Sequence, residues 1–221
     1  MLLVKVPSDL RSIQEACPKY IPARIQSRFY PTAKRCLDLL IVLACAPAVL
    51  LVLLAASLVI YAREGGPIFF VQNRVGRGGR VFKMLKLRTM VPQSGIQQTA
   101  TLKGDPRITP LGKFLRQSHI DELPQLWNIF MGQMTLIGPR PEQPALVEHY
   151  RANLPHYDLR HTVAPGLSGW AQVNFGYAAD LAETTRKLDF DLEYVRRYGP
   201  AIDVIIMVKT LRIYLDPRYV R

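Results

Sequence analysis

The sequence predicts an α+β chain, mainly helical, in which a re-entrant membrane helix carries a compact cytosol-facing domain with a small β-hairpin and interfacial amphipathic helices. Three observations predict it. The run from Leu39 to Ala62, LLIVLACAPAVLLVLLAASLVIYA, carries no charge and has only Ser57 as a clearly polar side chain. Its length and polarity are those of a membrane segment. Two β-prone runs rich in Phe and Val then flank the glycine turn Gly76-Arg77-Gly78-Gly79. Beyond residue 105, prolines and apolar spacing mark a succession of short helices.

At 221 residues the chain is long enough for one ordinary domain with a core plus an appendage, and too short for two large domains. Residues 1–33 form a basic N-terminal arm, 34–62 the membrane helix, and 63–221 the compact domain. A net charge of +12 calls for an anionic partner: nucleic acid, an acidic lipid surface or a phosphorylated substrate. Composition does not choose among them. The 3 cysteines, Cys17, Cys36 and Cys45, have neither disulfide nor zinc spacing and fit a reducing, cytosol-facing setting. No cleavable signal peptide is expected, because Lys5, Asp9 and Arg11 interrupt the first apolar residues.

In chain order, the arm has scattered prolines and basic residues without a period, and reads as a loose segment along an acidic surface or as a solvated tail. The apolar run has equally basic flanks, so the positive-inside tendency exports neither end. Pro47 removes a helical hydrogen bond a third of the way in, predicting a kink that lets the helix return to the face it entered. Residues 65–90 read as a β-hairpin, on which Lys86 and Arg88, two apart, face the same way. The stretch from Val91 to Thr101 is polar and irregular, and reads as a mobile loop. Thr109-Pro110 starts a short helix with Leu111, Phe114 and Leu115 inward. Pro124 then starts another over Leu123 to Phe130, with Asp121 and Glu122 at its positive end. Residues 142–156 read as an amphipathic helix, Asp180 to Tyr198 as a mixed-charge helix, and Ala201 to Tyr214 as a helix too charged and short to span, lying in the membrane interface or packed on the core.

By itself the Asp121-Glu122 pair is an ordinary N-cap and first-turn acid. The string Gly138-Pro139-Arg140-Pro141 adds a turn that returns an arginine toward the same helix start, which a cap does not need. With RQSHIDELPQLWNIFMGQMTLIGPRPE (Arg116 to Glu142) on the page, the chain resembles the bacterial sugar transferases, the monotopic polyprenyl-phosphate phosphoglycosyl transferases. The resemblance runs from Lys34 to about Asp216. It includes Gln72, Arg74 and Gly76, then Lys86, Arg88 and Thr89, and the string from Pro165 to Asn174. Leu167 and Ser168 replace that string's Ile and Thr, Phe175 separates Asn174 from the usual glycine, and Ala46-Pro47 replaces a Ser-Pro break.

The resemblance implies transfer of a sugar 1-phosphate from a UDP-sugar to undecaprenyl phosphate with release of UMP, a first membrane step of exopolysaccharide, O-antigen or glycoconjugate biosynthesis. It implies Asp121 as nucleophile forming a phosphosugar-aspartyl intermediate, Glu122 as its partner handling a proton or holding the metal, and Mg2+ bound through Asp121. The histidines are too scattered to propose zinc, and magnesium, held by few protein groups, is the better fit and leaves little trace in sequence. Arg116, Arg140, Lys86, Arg88 and Arg160 are the candidate phosphate ligands; for Arg160 a surface ion pair stays open. Gln72, Arg74 and Asp191 are candidate substrate contacts. The implied location is the cytoplasmic face of a bacterial plasma membrane, with anionic lipids as further partners. No nucleic-acid module is present, and a homo-oligomer stays open. The alternatives are a non-catalytic membrane scaffold and a membrane-tethered anion-binding protein.

Overall fold

The computed structural model describes residues 29–91, 105–175 and 180–215. The expectations for the arm up to residue 28, for the polar stretch beyond Val91 and for the loop tip at Gly176 lie outside the described residues. Helix α1 spans Phe29–Glu64, 36 residues with Pro47 inside. It begins before residue 34 because its first turns are bolted to the body. Tyr30 donates to Asp203 at 2.5 Å, Lys34 pairs with the same carboxylate, and Asp38 accepts from Thr135 Oγ1 at 2.5 Å and Leu136 N at 3.2 Å. Arg35 donates to the carbonyls of Ile129 and Phe130. The other end packs as well: Ile60 is fully buried in a cluster with Leu87 and Leu115. Between these anchors Leu43, Leu50, Leu51 and Leu54 stay exposed, as an apolar face meant for lipid would be. The helix assignment continues through Pro47, which costs it one hydrogen bond.

Strands β1 (Phe69–Val75) and β2 (Val81–Leu87) form the expected antiparallel hairpin, in register from Phe69↔Leu87 to Val75↔Val81. Gly78 and Gly79 supply the positive φ values, 66° and 73°, of its turn. Helix α2 (Pro110–Gln117) is capped by the Thr109 hydroxyl, which accepts from Gly112 N at 2.8 Å. Leu115 is buried and Leu111 partly so, but Phe114 is 59% exposed, contrary to the inward placement predicted from sequence. Residues advance by about 100° in a helix, so Leu111 and Leu115 share a face that Phe114 leaves. The chain next reverses through His119, in the left-handed region at φ 56°, into a 3-10 turn over Ile120–Glu122. Helix α3 starts only at Gln125 and ends at Phe130, two residues later than predicted at its start. The acid pair therefore stands on the tight turn rather than in the helix.

Asn128 joins α3 to the hairpin. At 1% exposure its Oδ1 accepts from Leu85 N at 3.0 Å, while its Nδ2 donates to Lys83 O at 2.8 Å and to Gln133 Oε1 at 2.7 Å. One side chain thus satisfies both polar groups of β2 that face α3, and holds Glu122 within reach of Lys86. Asn128→Leu keeps the volume but orphans a buried N–H and a buried C=O, at about 1–3 kcal/mol each. A fall in melting temperature of several degrees is expected in detergent; an unchanged value would mean these groups find other partners.

A second, parallel pair, β3 (Thr135–Ile137) with β4 (Gly166–Ser168), went unpredicted. Glycines allow it: a Cβ on Gly138 would overlap the Ala164 carbonyl oxygen, and one on Gly166 the backbone of Gly138. Helix α4 (Pro144–Asn153), a 3-10 turn over Tyr157–Thr162, and helices α5 (Trp170–Asn174), α6 (Leu181–Arg196) and α7 (Pro200–Leu215) complete the body. Helix α7 buries Ile202 and Ile206 against Ile137 and Tyr194, and leaves Val204, Ile205, Val208 and Leu211 exposed. The Trp170 indole N–H donates to Glu193, with Lys209 4.6 Å from its ring centroid. That gives the Gly-Trp-Ala-Gln string a packing role.

Candidate active site

The turn that carries Asp121 and Glu122 meets the end of β2 on one side and the Pro139-Arg140-Pro141 turn on the other. Two cations arriving from separate elements bind one oxygen. Lys86 Nζ lies 2.7 Å and Arg140 Nη2 2.6 Å from Glu122 Oε1. Burial works against the charge on Glu122, but Arg140 and Lys86, by charge and by hydrogen bond, overcome it and hold this carboxyl well below the usual carboxylate range. The carboxylate so held seats both cations on one oxygen.

Asp121 is its opposite. It is 6% exposed and makes no side-chain hydrogen bond among the described residues. Burial pushes its carboxyl up to about 6, against the pull of Lys86, Arg116 and Arg140 and with the repulsion of Glu122. The result is a desolvated, unpaired carboxylate ringed by three cations. A buried carboxyl so perturbed, with cations close by, marks a candidate functional group. Adjacent side chains in one tight turn have been pushed in opposite directions, which is the pattern expected where two carboxyls divide their duties.

The turn carrying Arg140 is held at four consecutive carbonyls. Pro139 O accepts from Gly166 N at 3.0 Å and Arg140 O from Arg160 Nη2 at 2.8 Å; Pro141 O accepts from Arg74 Nη1 at 2.9 Å and Glu142 O from Val75 N at 2.9 Å. Four residues proposed from sequence to meet substrate are used here, Arg160 expected as a phosphate ligand and Gln72, Arg74 and Asp191 as substrate contacts. Arg160, 3% exposed, grips Asp191 Oδ2 with Nε and Nη2 at 2.9 and 2.7 Å. Both members of that pair lie under the turn with side chains 2% exposed, so the Arg160–Asp191 pair is buried, unlike the surface pair weighed from sequence. Arg74 is oriented by Gln72 Oε1, at 3.0 and 2.6 Å from its Nε and Nη2.

Lys86 and Arg88 part company. β2 ends at Leu87, and the Arg88 guanidinium turns to the end of α1, donating to Glu64 O at 3.0 Å and Gly65 O at 2.8 Å. A cation on the last carbonyls of a helix satisfies orphan acceptors and opposes the helix dipole. Arg88 therefore ties α1 to the strand that brings Lys86. Arg116 remains near Asp121, with its Nε on Thr89 Oγ1 at 2.8 Å. On the far side, Tyr214 of α7 stacks edge-on against His119 at 4.5 Å. Neither ring was singled out from sequence; the left-handed backbone at His119 could not be read there, and Tyr214 falls in an apolar helix.

Among the described residues no cluster of three His, Cys, Asp or Glu side chains could hold a metal ion by itself. The donor set still suits Mg2+, which takes one or two carboxylates and fills its shell with water and substrate phosphates. Asp121, unpaired, is the group present for it, and Glu122 is already engaged.

The model of a family described as bacterial sugar transferase matches residues 29–217. A UDP-N-acetylgalactosamine-undecaprenyl-phosphate N-acetylgalactosaminephosphotransferase from Aeromonas hydrophila is 42% identical over 193 residues, covering 86% of this chain and 45% of that protein. A UDP-glucose:undecaprenyl-phosphate glucose-1-phosphate transferase from Xanthomonas campestris pv. campestris is 37% identical over 84% of this chain and 39% of its own length. One of the same name from Escherichia coli (strain K12) is 38% identical over 78% of this chain and 37% of its own. The chain spans less than half the length of these three relatives.

Proposed function

The chain belongs to the bacterial sugar transferase family, and on that premise we propose that it transfers a sugar 1-phosphate from a UDP-sugar to undecaprenyl phosphate through a phosphosugar-aspartyl intermediate. The observation that carries the reading is the unpaired, desolvated Asp121 beside three cations. Its carboxylate oxygen attacks the phosphorus next to the sugar, and the bond to the UMP phosphate breaks with its electron pair. The lipid phosphate then attacks the same phosphorus and the bond to Asp121 breaks. Both nucleophiles are already anions and both leaving groups are weak bases, so no proton need move in either step. That agrees with Glu122 held ionised and employed to seat Lys86 and Arg140. What the residues contribute is charge neutralisation and in-line placement, the main requirement of phosphoryl transfer. Mg2+, held by Asp121 and the phosphates, would supply further neutralisation of the phosphate oxygens. The relatives' printed names differ in their sugar, and the donor here is left at the level of a UDP-sugar. The test is UMP release in detergent against a panel of UDP-sugars, with undecaprenyl phosphate present or withheld. Absence of UMP with every donor would remove the reading.

The site is proposed to sit at the cytoplasmic face of the plasma membrane, with both ends of α1 on that face. The support is that one end, through Lys34, Arg35 and Asp38, and the other, through Ile60 and Glu64, are fixed to the same body. A helix that crossed would have to release one of these anchors. Tyr20→Cys and Phe70→Cys, each in a cysteine-free background, are expected to resist a membrane-impermeant thiol reagent on intact cells and to react after permeabilisation. Labelling of position 20 alone on intact cells would mean a crossing.

A further inference from the structure

We propose that Thr89 is a positioning residue whose hydroxyl presets Arg116, and that Arg116 so held is the first cation to meet the donor diphosphate. The inference rests on reading the Asp121 region as a UDP-sugar site. Of the three cations that act on Asp121, Lys86 and Arg140 are already bonded to Glu122 Oε1. An arriving phosphate must share them with that anion. Arg116 differs: its Nε is bound to Thr89 Oγ1 at 2.8 Å, and its two terminal amines make no hydrogen bond among the described residues. Holding a guanidinium at Nε fixes its plane and leaves the edge formed by the terminal amines open, the edge that takes two phosphate oxygens at once.

The hydroxyl is itself fixed from behind. Thr89 is 6% exposed. Its carbonyl accepts from Thr109 N at 3.2 Å, and Gly112 presses on that carbonyl so closely that a Cβ would overlap it. Gly112 N in turn donates to the Thr109 hydroxyl that starts α2, and Arg116 stands in the last turn of the same helix. Thr89 and Arg116 are thus referenced to one rigid element, α2, and the arginine's side-chain freedom is restricted before any ligand arrives. Apart from Arg116, no described side chain bonds to the Thr89 hydroxyl, so packing alone would be served equally by valine.

Thr89→Val, isosteric with the native residue, and Thr89→Ser, which keeps the hydroxyl, separate positioning from packing. The probe is inorganic pyrophosphate, titrated calorimetrically into the full detergent-solubilised chain, which reports capture of a diphosphate whether or not turnover follows. Thr89→Val should weaken binding about tenfold, the scale of one hydrogen bond to a charged group, and Thr89→Ser should stay within about twofold of the native protein. The KM for the UDP-sugar should rise in step with kcat little altered, and Thr89→Val should add nothing in an Arg116→Ala background. Native affinity in Thr89→Val, or equal losses in the valine and serine variants, overturns the proposal. If the native protein binds pyrophosphate with this pattern yet releases no UMP from any UDP-sugar, the positioning role stands and the UDP-sugar reading falls.

Discussion

Asp121→Asn is expected to abolish turnover and, at the same time, to make the protein more stable near pH 8. The two effects share one cause. Burial raises the Asp121 carboxyl from an ordinary value of 3.8 to about 6, so the folded protein binds this proton more tightly than the unfolded chain does. The stability tied to the group is therefore fully present below the unfolded value of 3.8 and is lost as pH rises through about 6. Above that the fold carries a desolvated charge, at a cost on the order of 2–3 kcal/mol for a shift of this size. An amide of the same shape avoids it. Thermal unfolding of the Asn variant should show a gain of several degrees at pH 8 that shrinks toward pH 5. In activity the sign reverses, because in the proposed reaction only the ionised carboxylate attacks: kcat/KM should fall below about pH 6 as Asp121 takes up its proton. With UDP-sugar and magnesium but no lipid acceptor, the native enzyme should give a burst of about one UMP per chain and a phosphosugar adduct visible by intact-protein mass spectrometry. The variant should give neither. An adduct absent from the native protein, with kinetics requiring both substrates together, would reduce Asp121 to a metal ligand in a direct displacement.

Sequence made the outline of this molecule readable where one physical effect dominates. The apolar run showed the length and polarity of a membrane segment, with a buried core helix as the alternative, and the Gly-rich turn between β-prone runs announced the hairpin. The acid pair, by contrast, is indistinguishable from a helix cap until Arg140 is brought back to it. Charges were readable as charges, but which cations would be used up by partners was not. Lys86 and Arg88 share a face only while a strand lasts, and β2 ends between them at Leu87. Arg160 finds Asp191 from 31 residues away, a separation that leaves no local pattern. The β3–β4 pair escaped because strands of three residues have no period; its trace is the glycines at 138, 166 and 169, which permit close backbone approach. Asn128 had a faint signal, an amide set among Leu126, Trp127, Ile129 and Phe130, where a buried polar group must have found partners. What is hidden from sequence in each case is the pairing, because it joins distant segments.

Arg140→Lys is expected to lower kcat/KM about ten- to a hundredfold while leaving the melting temperature within a degree or two of native. The native guanidinium divides its work. Nη2 holds Glu122 Oε1 at 2.6 Å, and the remaining N–H groups, on a side chain 31% exposed, make no other hydrogen bond among the described residues. One planar group can thus stay bonded to Glu122 and still offer donors to phosphate oxygens. A lysine keeps the positive charge, and Lys86 continues to neutralise Glu122, so folding has little reason to suffer. Its single nitrogen, however, cannot serve the carboxylate and a bidentate phosphate contact together, a loss of roughly 1.5–3 kcal/mol for a hydrogen bond to a charged group. The backbone of the turn is held independently, at the Arg140 carbonyl by Arg160 and at the Pro141 carbonyl by Arg74, so the variant removes the contact without moving the turn. A matched Arg77→Lys change on the exposed hairpin turn controls for loss of arginine as such and should be silent. Equal activity in the two variants would leave the Pro-Arg-Pro turn with a structural role only, and the burden of phosphate binding would fall on Arg116 and Lys86.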